Sequence, residues 1–510
     1  MRIRFRPLAT AGTLLLLLFV PATVRAQTDP LSGLDGFIRE VLETWSAPGM
    51  AVAVVHDDRV LLARGWGVRE VGRADPVDEH TLFAIASTSK AFTTAAMGML
   101  VDEERVSWDD PVTDHLPGFQ LFDPYVTREL TIRDLLSHRS GLPRGDRLWY
   151  ASPFTRAEIM ERVRYLEPGW SFRSRYGYQN IMFLTAGELV GKVAGTTWDA
   201  FVDERIFTPL GMERSNTTTR DIEARGNVAT PHVFTDTAVV TVGWRDFDNL
   251  GGAGAINSSA ADMAQWLRLQ LGNGTYEGTE LFSDSVTWEM RGAVTVIPRG
   301  QEARETFPET HLQAYGLGWT LQDYRGRLVV RHGGSLDGMR THVALMPEED
   351  VGVVVLTNLN VSVVPQLVAF HVLDRFLAPR EDGSVKDWND LMRGRWLEDQ
   401  AEARERREAT EAERVTGTTP SLALDAYVGT YQDVLYGTAN VSLEEGALVL
   451  DVGPYFIGTL EHWHFDTFRA RWRERGLGTA MVTFQLGADG QVAEVRVGGF
   501  DRFIRAPEGP

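Results

Sequence analysis

The chain has 510 residues, 43% hydrophobic and 24% charged, a composition that gives a globular protein of one to three domains enough apolar material for a large core. A formal net charge of −19 argues against nucleic acid or an anionic membrane surface as the main partner. A cysteine count of 0 excludes disulfides, thiolate metal sites and a cysteine-linked lipid.

Residues 1–26 read as a signal peptide. Arg2, Arg4 and Arg6 form a basic start, Leu8 to Val20 is apolar, and Val24 and Ala26 place small residues ahead of a cleavage point at Gln27. The apolar stretch is short for a bilayer span, which takes about 20 residues. An uncleaved N-terminal anchor is the competing reading. Cleavage would remove four arginines and no acids, taking the charge to −23. The expected location is periplasmic or extracellular, without stable membrane insertion after cleavage.

Asp29 to Trp45 predicts an amphipathic helix with Leu34, Phe37, Ile38, Val41 and Leu42 on one face. Met50–Val55 and Val60–Ala63, joined by residues 56–59, predict a hairpin. The Ala-, Met- and Leu-rich run after Ser87 lacks proline and predicts a buried helix. Ser87 then falls near its first turn. Lys90, three residues on, lies on the same face, about 5–6 Å away at Cβ. Such a pair suits a nucleophile and its proton partner, with the positive end of the helix available to a developing oxyanion. On these residues alone, a helix-capping serine with a surface lysine is the stronger explanation of the spacing.

Residues 130–143 predict a compact helix, with Thr131 as cap and Asp134 three residues on, closing in a Ser-Gly-Leu-Pro turn. His138 reads as a histidine satisfying carbonyls near that helix's C-terminus rather than as a catalytic base. Tyr178 and Asn180 bring a phenol and a carboxamide ahead of an apolar helix at Ile181–Val193, and Thr197–Met212 predicts another. The glycine-rich residues 251–255 lack the Lys-Ser/Thr of a phosphate loop and predict a tight turn beside a pocket. Ser258 to Leu271 predicts a helix capped by Ser258 or Ser259.

Strand spacing follows at Tyr315–Leu321, Leu328–Arg331, Thr341–Met346 and Val351–Thr357. With the early hairpin this predicts an α+β fold: an antiparallel sheet of about five strands, flanked by helices, plus a helical lobe. His332, Gly333, Gly334 and Ser335 sit at a strand end, where glycine lets backbone approach a ligand. Residues 388–420 read as a charged, solvated helical linker. Residues 421–510 carry short alternating strands and predict a second, all-β domain, a small barrel or sandwich. Its aromatics (Tyr431, Tyr455, Trp463, Phe465, Phe468 and Trp472) read as core and rim. His462 and His464 read as strand or surface positions; no metal and no cofactor is expected.

The order Ser87-x-x-Lys90, Tyr178-x-Asn180, His332-Gly333-Gly334 resembles the serine β-lactamase and penicillin-binding-protein-like hydrolases, nearest the class C β-lactamase and esterase branch. The resemblance covers roughly residues 30–380, which gives a hydrolase domain at 27–387. Residues 421–506 are similar to a lipocalin-like domain of unknown function that often follows such hydrolases. The resemblance implies a β-lactamase/transpeptidase-like fold and acyl transfer through Ser87, with Lys90 and Tyr178 moving protons. It also implies substrate binding by Asn180, His332, Gly333, Gly334 and Ser335, and an oxyanion hole from the backbone N–H groups of Ser87 and Ser335. His332 stands where penicillin-recognising members carry a lysine that helps hold the substrate carboxylate. A small-molecule or peptide substrate is therefore expected, as an ester, an amide or a D-amino-acid peptide. The alternatives are a β-lactamase or DD-peptidase, a non-catalytic scaffold of the same fold, and a barrel that binds lipid or a partner with the hydrolase as accessory. The sequence carries no signature of oligomeric state.

Overall fold

The computed structural model describes residues 29–235, 238–361, 363–380 and 384–507. The signal-peptide reading of residues 1–26 lies outside the described residues.

The first domain is built on an eight-stranded antiparallel sheet. Its strands are β1 (Gly49–His56), β2 (Arg59–Gly67), β3 (Thr295–Val296), β4 (Gln313–Tyr315), β5 (Thr320–Tyr324), β6 (Arg327–Leu336), β7 (Met339–Met346) and β8 (Val351–Thr357). They lie in the order β2-β1-β8-β7-β6-β5-β4-β3. The central strands read as continuous apolar runs because both faces of the sheet are covered. Ala51, Ala53 and Val55 pack into one core with Val343, Val354 and Leu356. Met50, Val52 and Val54 pack into the other with Val353 and Val355.

The first face is covered by α2 (Ser89–Asp102), α3 (Asn180–Ala194) and α4 (Ala260–Leu271), and the second by α1 (Leu34–Trp45) and α5 (Val363–Asp374). Ser259 caps α4 by accepting from the Asp262 N–H.

The sheet has eight strands, two more than the six runs read from the sequence, for two reasons. Residues 315–321, read as one strand, are split by a turn at Gly316–Gly318. Gly318 has φ +79°, and a Cβ there would lie 2.6 Å from Thr94 Oγ1 on α2. β3 has two residues, too few for alternation to appear.

The helix expected at 130–143 is a single turn, Ile132–Leu135, although its Thr131/Asp134 capping box forms as read. His138, at φ +57°, ends any helical path. The following loop is pinned instead by buried Asp134, which accepts from Arg139 Nε at 2.5 Å and Arg173 Nη2 at 2.6 Å. Residues 197–212 form three consecutive short helical segments, with a widened turn at Asp203–Phe207.

The charged segment forms α6 (Trp388–Ala412), but its start is not solvated. Trp388, Asn389 and Met392 are buried, and Asn389 accepts from Trp45 Nε1 at 2.8 Å, so the helix is rooted in the first domain.

The second domain is a closed barrel: β9 (Gly429–Asp433), β10 (Gly437–Glu444), β11 (Ala447–Asp451), β12 (Ile457–His464), β13 (Thr467–Trp472), β14 (Thr479–Leu486), β15 (Val492–Val497) and β16 (Arg502–Arg505). β12 and β16 escaped the sequence reading. His462 and His464 lie on β12, where His462 Nε2 meets the Phe465 carbonyl and His464 accepts from the Val415 N–H. The barrel interior is filled. Tyr427, Tyr431, Phe468 and Phe484 stack edge-to-face with centroids 4.9–6.1 Å apart. Of the other aromatics, Trp463 is buried and Phe465 exposed. Among the described residues no helix is long and apolar enough to cross a membrane.

The barrel docks beside the helical lobe. Arg162 Nη1 donates to the Val434 carbonyl at 2.8 Å, Arg245 Nη2 donates to the Arg475 carbonyl at 3.0 Å, and the Tyr150 ring meets Phe456.

Candidate active site

Ser87 lies in a 3₁₀ turn, Ala86–Thr88, that feeds directly into α2. Ala86 adopts φ +50°, a left-handed conformation that costs free energy for a residue with a Cβ. It is held there from several sides. The Ala86 carbonyl accepts from Ser89 Oγ at 2.6 Å, and the Ile85 carbonyl accepts from Thr88 Oγ1 at 2.8 Å. β6 presses on the same turn, so that a Cβ at Gly334 would stand 2.2 Å from the Ile85 carbonyl oxygen. Gly334→Ala is therefore expected to displace β6 from the Ser87 turn, lowering the urea midpoint by an amount equivalent to about 1–3 kcal/mol and reducing activity with it. An unchanged midpoint would contradict the contact.

α2 is buried almost all round, and Lys90 is buried with it. Its Nζ lies 3.2 Å from Ser87 Oγ, 2.7 Å from Asn180 Oδ1 and 2.8 Å from the Ala253 carbonyl. Burial, reinforced by the nearby Arg144 charge, holds its pKa well below the ordinary lysine value, and Asp146 opposes this in part.

Asn180 is the first residue of α3. Its Nδ2 donates to Asp146 Oδ1 at 3.1 Å. A carboxylate only accepts, so Asp146 turns the amide oxygen toward Lys90. Asp146 also accepts from Trp149 Nε1 at 2.9 Å and Arg144 Nε at 2.5 Å.

The Tyr178 ring lies 4.8 Å from Lys90 Nζ and 5.1 Å from the Arg144 guanidinium carbon. Burial raises the phenol's pKa above that of a free tyrosine, and a hydrogen bond with Ser87 pulls it the other way.

His138 is not the carbonyl cap expected of it. Its Nδ1 accepts from the Gln179 N–H at 3.1 Å, and its ring packs 4.2 Å from Tyr178. Among the described residues its Nε2 has no hydrogen-bond partner, and burial pushes its pKa well down, so it serves as a neutral wedge behind Tyr178.

His332 is buried on β6. Nδ1 meets the Gly333 carbonyl at 2.8 Å and Nε2 meets Tyr315 OH at 3.0 Å. The carbonyl can only accept, so the proton sits on Nδ1 and Nε2 takes the Tyr315 hydrogen. Desolvation and the Lys90 charge bring its pKa down to about 3, and the ring is neutral at physiological pH.

β5 pairs with β6 only as far as Thr320 opposite Arg331. From His332 to Leu336, β6 pairs with β7 alone, leaving its other backbone edge along the cavity. That cavity, about 390 Å³, is lined by Ser87, Tyr178, Asn180, His332, Gly333 and Ser335, joined by Arg144, Trp149 and Leu250. Seven of the eight residues expected at the site thus share one cavity or its hydrogen-bond network, and Gly334 packs behind Ser87. The glycine-rich turn at 251–255 supplies the Ala253 carbonyl to Lys90, as a turn beside the pocket should. Arg144, Asp146, Trp149 and Tyr315 were missed, because none belongs to a spaced motif.

Known proteins match the chain along both domains. The sequence model of the Beta-lactamase family matches residues 34–375, and that of a domain of unknown function, DUF3471, matches residues 413–504. The chain is 30% identical over 432 residues to the unguisins hydrolase ungD' of Aspergillus campestris, covering 80% of this chain and 77% of that protein. It is 25% identical over 356 residues to protein flp of Staphylococcus aureus, covering 68% and 66% respectively. In fold it matches an octameric penicillin-binding protein homologue from Pyrococcus abyssi with a TM-score of 0.61 at 22% identity, over 93% of this chain and 100% of the other. The chain belongs to the β-lactamase family and is a serine hydrolase.

Proposed function

We propose that this hydrolase is an exported enzyme working through an acyl-enzyme on Ser87, with Lys90 as general base and Tyr178 as the proton donor to the leaving group. The contact set of Lys90 carries this reading. A neutral amine has two N–H donors and one lone pair. Lys90 faces two groups placed to accept, Asn180 Oδ1 and the Ala253 carbonyl, and one hydroxyl, Ser87. Donating to the first two leaves the lone pair for the Ser87 proton, and the depressed pKa favours that neutral form.

Ser87 Oγ then adds to the substrate carbonyl while its proton passes to Lys90. The oxyanion is taken by the backbone N–H groups of Ser87 and Ser335, the latter on the cavity-facing stretch of β6. Tyr178, kept protonated by burial, delivers a proton to the leaving oxygen or nitrogen as the tetrahedral intermediate collapses, and regains the proton that Lys90 took from Ser87. Water, deprotonated by the same relay, releases the acid and returns Ser87.

Esters, amides or D-amino-acid peptides are the substrates favoured over penicillins. A neutral His332 offers no fixed charge to a carboxylate where penicillin-recognising relatives have lysine. The non-catalytic alternative is disfavoured by a motif set that is complete and hydrogen-bonded together.

The test is a fluorophosphonate probe with the adduct mapped by mass spectrometry, followed by a panel of chromogenic esters, D-amino-acid amides and benzylpenicillin. The adduct is expected on Ser87, with benzylpenicillin slower than the best ester by about 10–100-fold, the worth of one charge-assisted hydrogen bond. No adduct on wild type would overturn the mechanism. Benzylpenicillin as good as the best ester would overturn the substrate class.

A further inference from the structure

We propose that the seam between the hydrolase domain and the barrel holds a second subsite, which binds a carboxylate on the substrate through Arg147 and Tyr436. The proposal rests on the acyl-transfer reading of the neighbouring cavity and names a feature of its substrates.

A second cavity, about 440 Å³, adjoins the first; Arg144 and Trp149 line both. Its other walls are Asp146, Arg147 and Tyr150 from the hydrolase domain and Tyr436 and Gly499 from the barrel. The charges here do not cancel. Asp146 is occupied by Arg144, Trp149 and Asn180. Tyr150 OH donates to Asp337 at 2.7 Å, and Asp337 is also ion-paired with Arg245.

Arg147 is left over. Its guanidinium has no hydrogen-bond or ion-pair partner among the described residues and rests only on aromatic rings: Phe456 at 4.4 Å, Phe500 at 5.3 Å and Tyr150 at 5.5 Å. Rings from both domains surround it but use none of its five N–H donors. Burial depresses its pKa, as expected of a cation short of an anion, although a guanidinium remains charged at neutral pH. The Tyr436 phenol lines the same cavity and also lacks a hydrogen-bond partner among the described residues.

A planar cation flanked by rings, beside a phenol on the same cavity and next to a nucleophile, suits an oxyacid anion, and a carboxylate is the form of it that an ester or peptide substrate carries. The lining of this cavity includes no residue of β6, so it is a different place from one beside His332. Packing explains the rings; both side chains are part-exposed, so their polar atoms face water in the cavity, which a ligand would displace.

The experiment compares p-nitrophenyl hemiglutarate with p-nitrophenyl pentanoate, which differ only in a terminal carboxylate against a methyl. Wild-type full-length protein is expected to favour the hemiglutarate in kcat/KM by about tenfold or more. Arg147→Met should abolish that preference, and Arg147→Lys should retain part of it. Tyr436→Phe, which keeps the ring, should lower it by about two- to fivefold and covers the case in which Arg147→Met does not fold. The ratio is insensitive to a general loss of activity. An equal ratio in wild type and both Met and Phe variants would overturn the subsite while leaving Ser87 chemistry intact. If fluorophosphonate fails to label Ser87 and neither ester is cleaved, the acyl-transfer reading falls instead. Calorimetric titration with glutarate then decides the subsite: binding to wild type and not to Arg147→Met supports it, and no binding to wild type overturns it.

Discussion

Ser87→Ala is expected to reduce ester turnover by at least about a thousandfold and to abolish the fluorophosphonate adduct, with little change in stability. The activity loss is large because the hydroxyl supplies the covalent bond in both half-reactions, and among the described residues Ser87 is the only hydroxyl hydrogen-bonded to Lys90 Nζ. The stability change is small because the side chain is half-exposed and the hydroxyl's partners, Lys90 and Tyr178, keep other contacts: Lys90 retains Asn180 and Ala253, and Tyr178 remains packed on His138. The strained Ala86 turn is held by backbone and by Thr88 and Ser89, not by Ser87, so the variant keeps its fold. Turnover, intact-protein mass after labelling, and the thermal midpoint measured on one preparation check all three parts. A variant within about tenfold of wild-type turnover would place the nucleophile elsewhere.

The contrast between what the sequence announced and what it concealed follows from the range of the interactions. The Ser87/Lys90 pair was legible because a helix fixes its spacing locally, and Asn180 because it opens a helix whose periodicity could be read; His332 was expected at a strand end, but β6 continues through it to Leu336 because Gly333 to Leu336 keep pairing with β7. The hairpin at β1 and β2, and β8, were legible from apolar runs with turn residues between them. The partners that make the site work are non-local. Asp146 orients Asn180 across 34 residues, and Tyr315 hydrogen-bonds His332 Nε2 from two strands away in the sheet. No spacing rule reaches them. His138 misled for a related reason. Its composition context suggested a helix C-terminus, but its positive φ, and a ring packed against Tyr178, are consequences of tertiary packing. The barrel was legible as a class, while β12 and β16 were lost to charged and aromatic positions that break alternation. The docking of that barrel against Tyr150 and Arg147 depends on surfaces from separate domains and has no local signal at all.

Lys90→Met is expected to lower kcat/KM by about a thousandfold, within the range for loss of a general base, and Lys90→Arg to be no better. Arginine keeps a cation at the position but cannot lose its proton, so it separates a need for charge from a need for a base. The pH profile tests the same assignment with wild type alone. A base works deprotonated, so kcat/KM should rise with pH through the Lys90 pKa. Burial and Arg144 hold that pKa well below the ordinary lysine value, so the rise should be complete well before the pH at which a free lysine titrates. His332, with a pKa of about 3, contributes no limb above about pH 4. Arg144→Gln removes a charge that depresses the Lys90 pKa and should move the limb to higher pH; Asp146→Asn removes a charge that raises it and should move the limb the other way. Stability carries the same signature. Between the folded pKa and the higher unfolded one, only the unfolded chain binds the Lys90 proton, so unfolding free energy increases with pH across that window. That slope should be absent from the difference between wild type and Lys90→Met only if Lys90 is not titrating there. A limb that persists unchanged in Lys90→Met, or an active Lys90→Arg, would transfer the role of base to Tyr178.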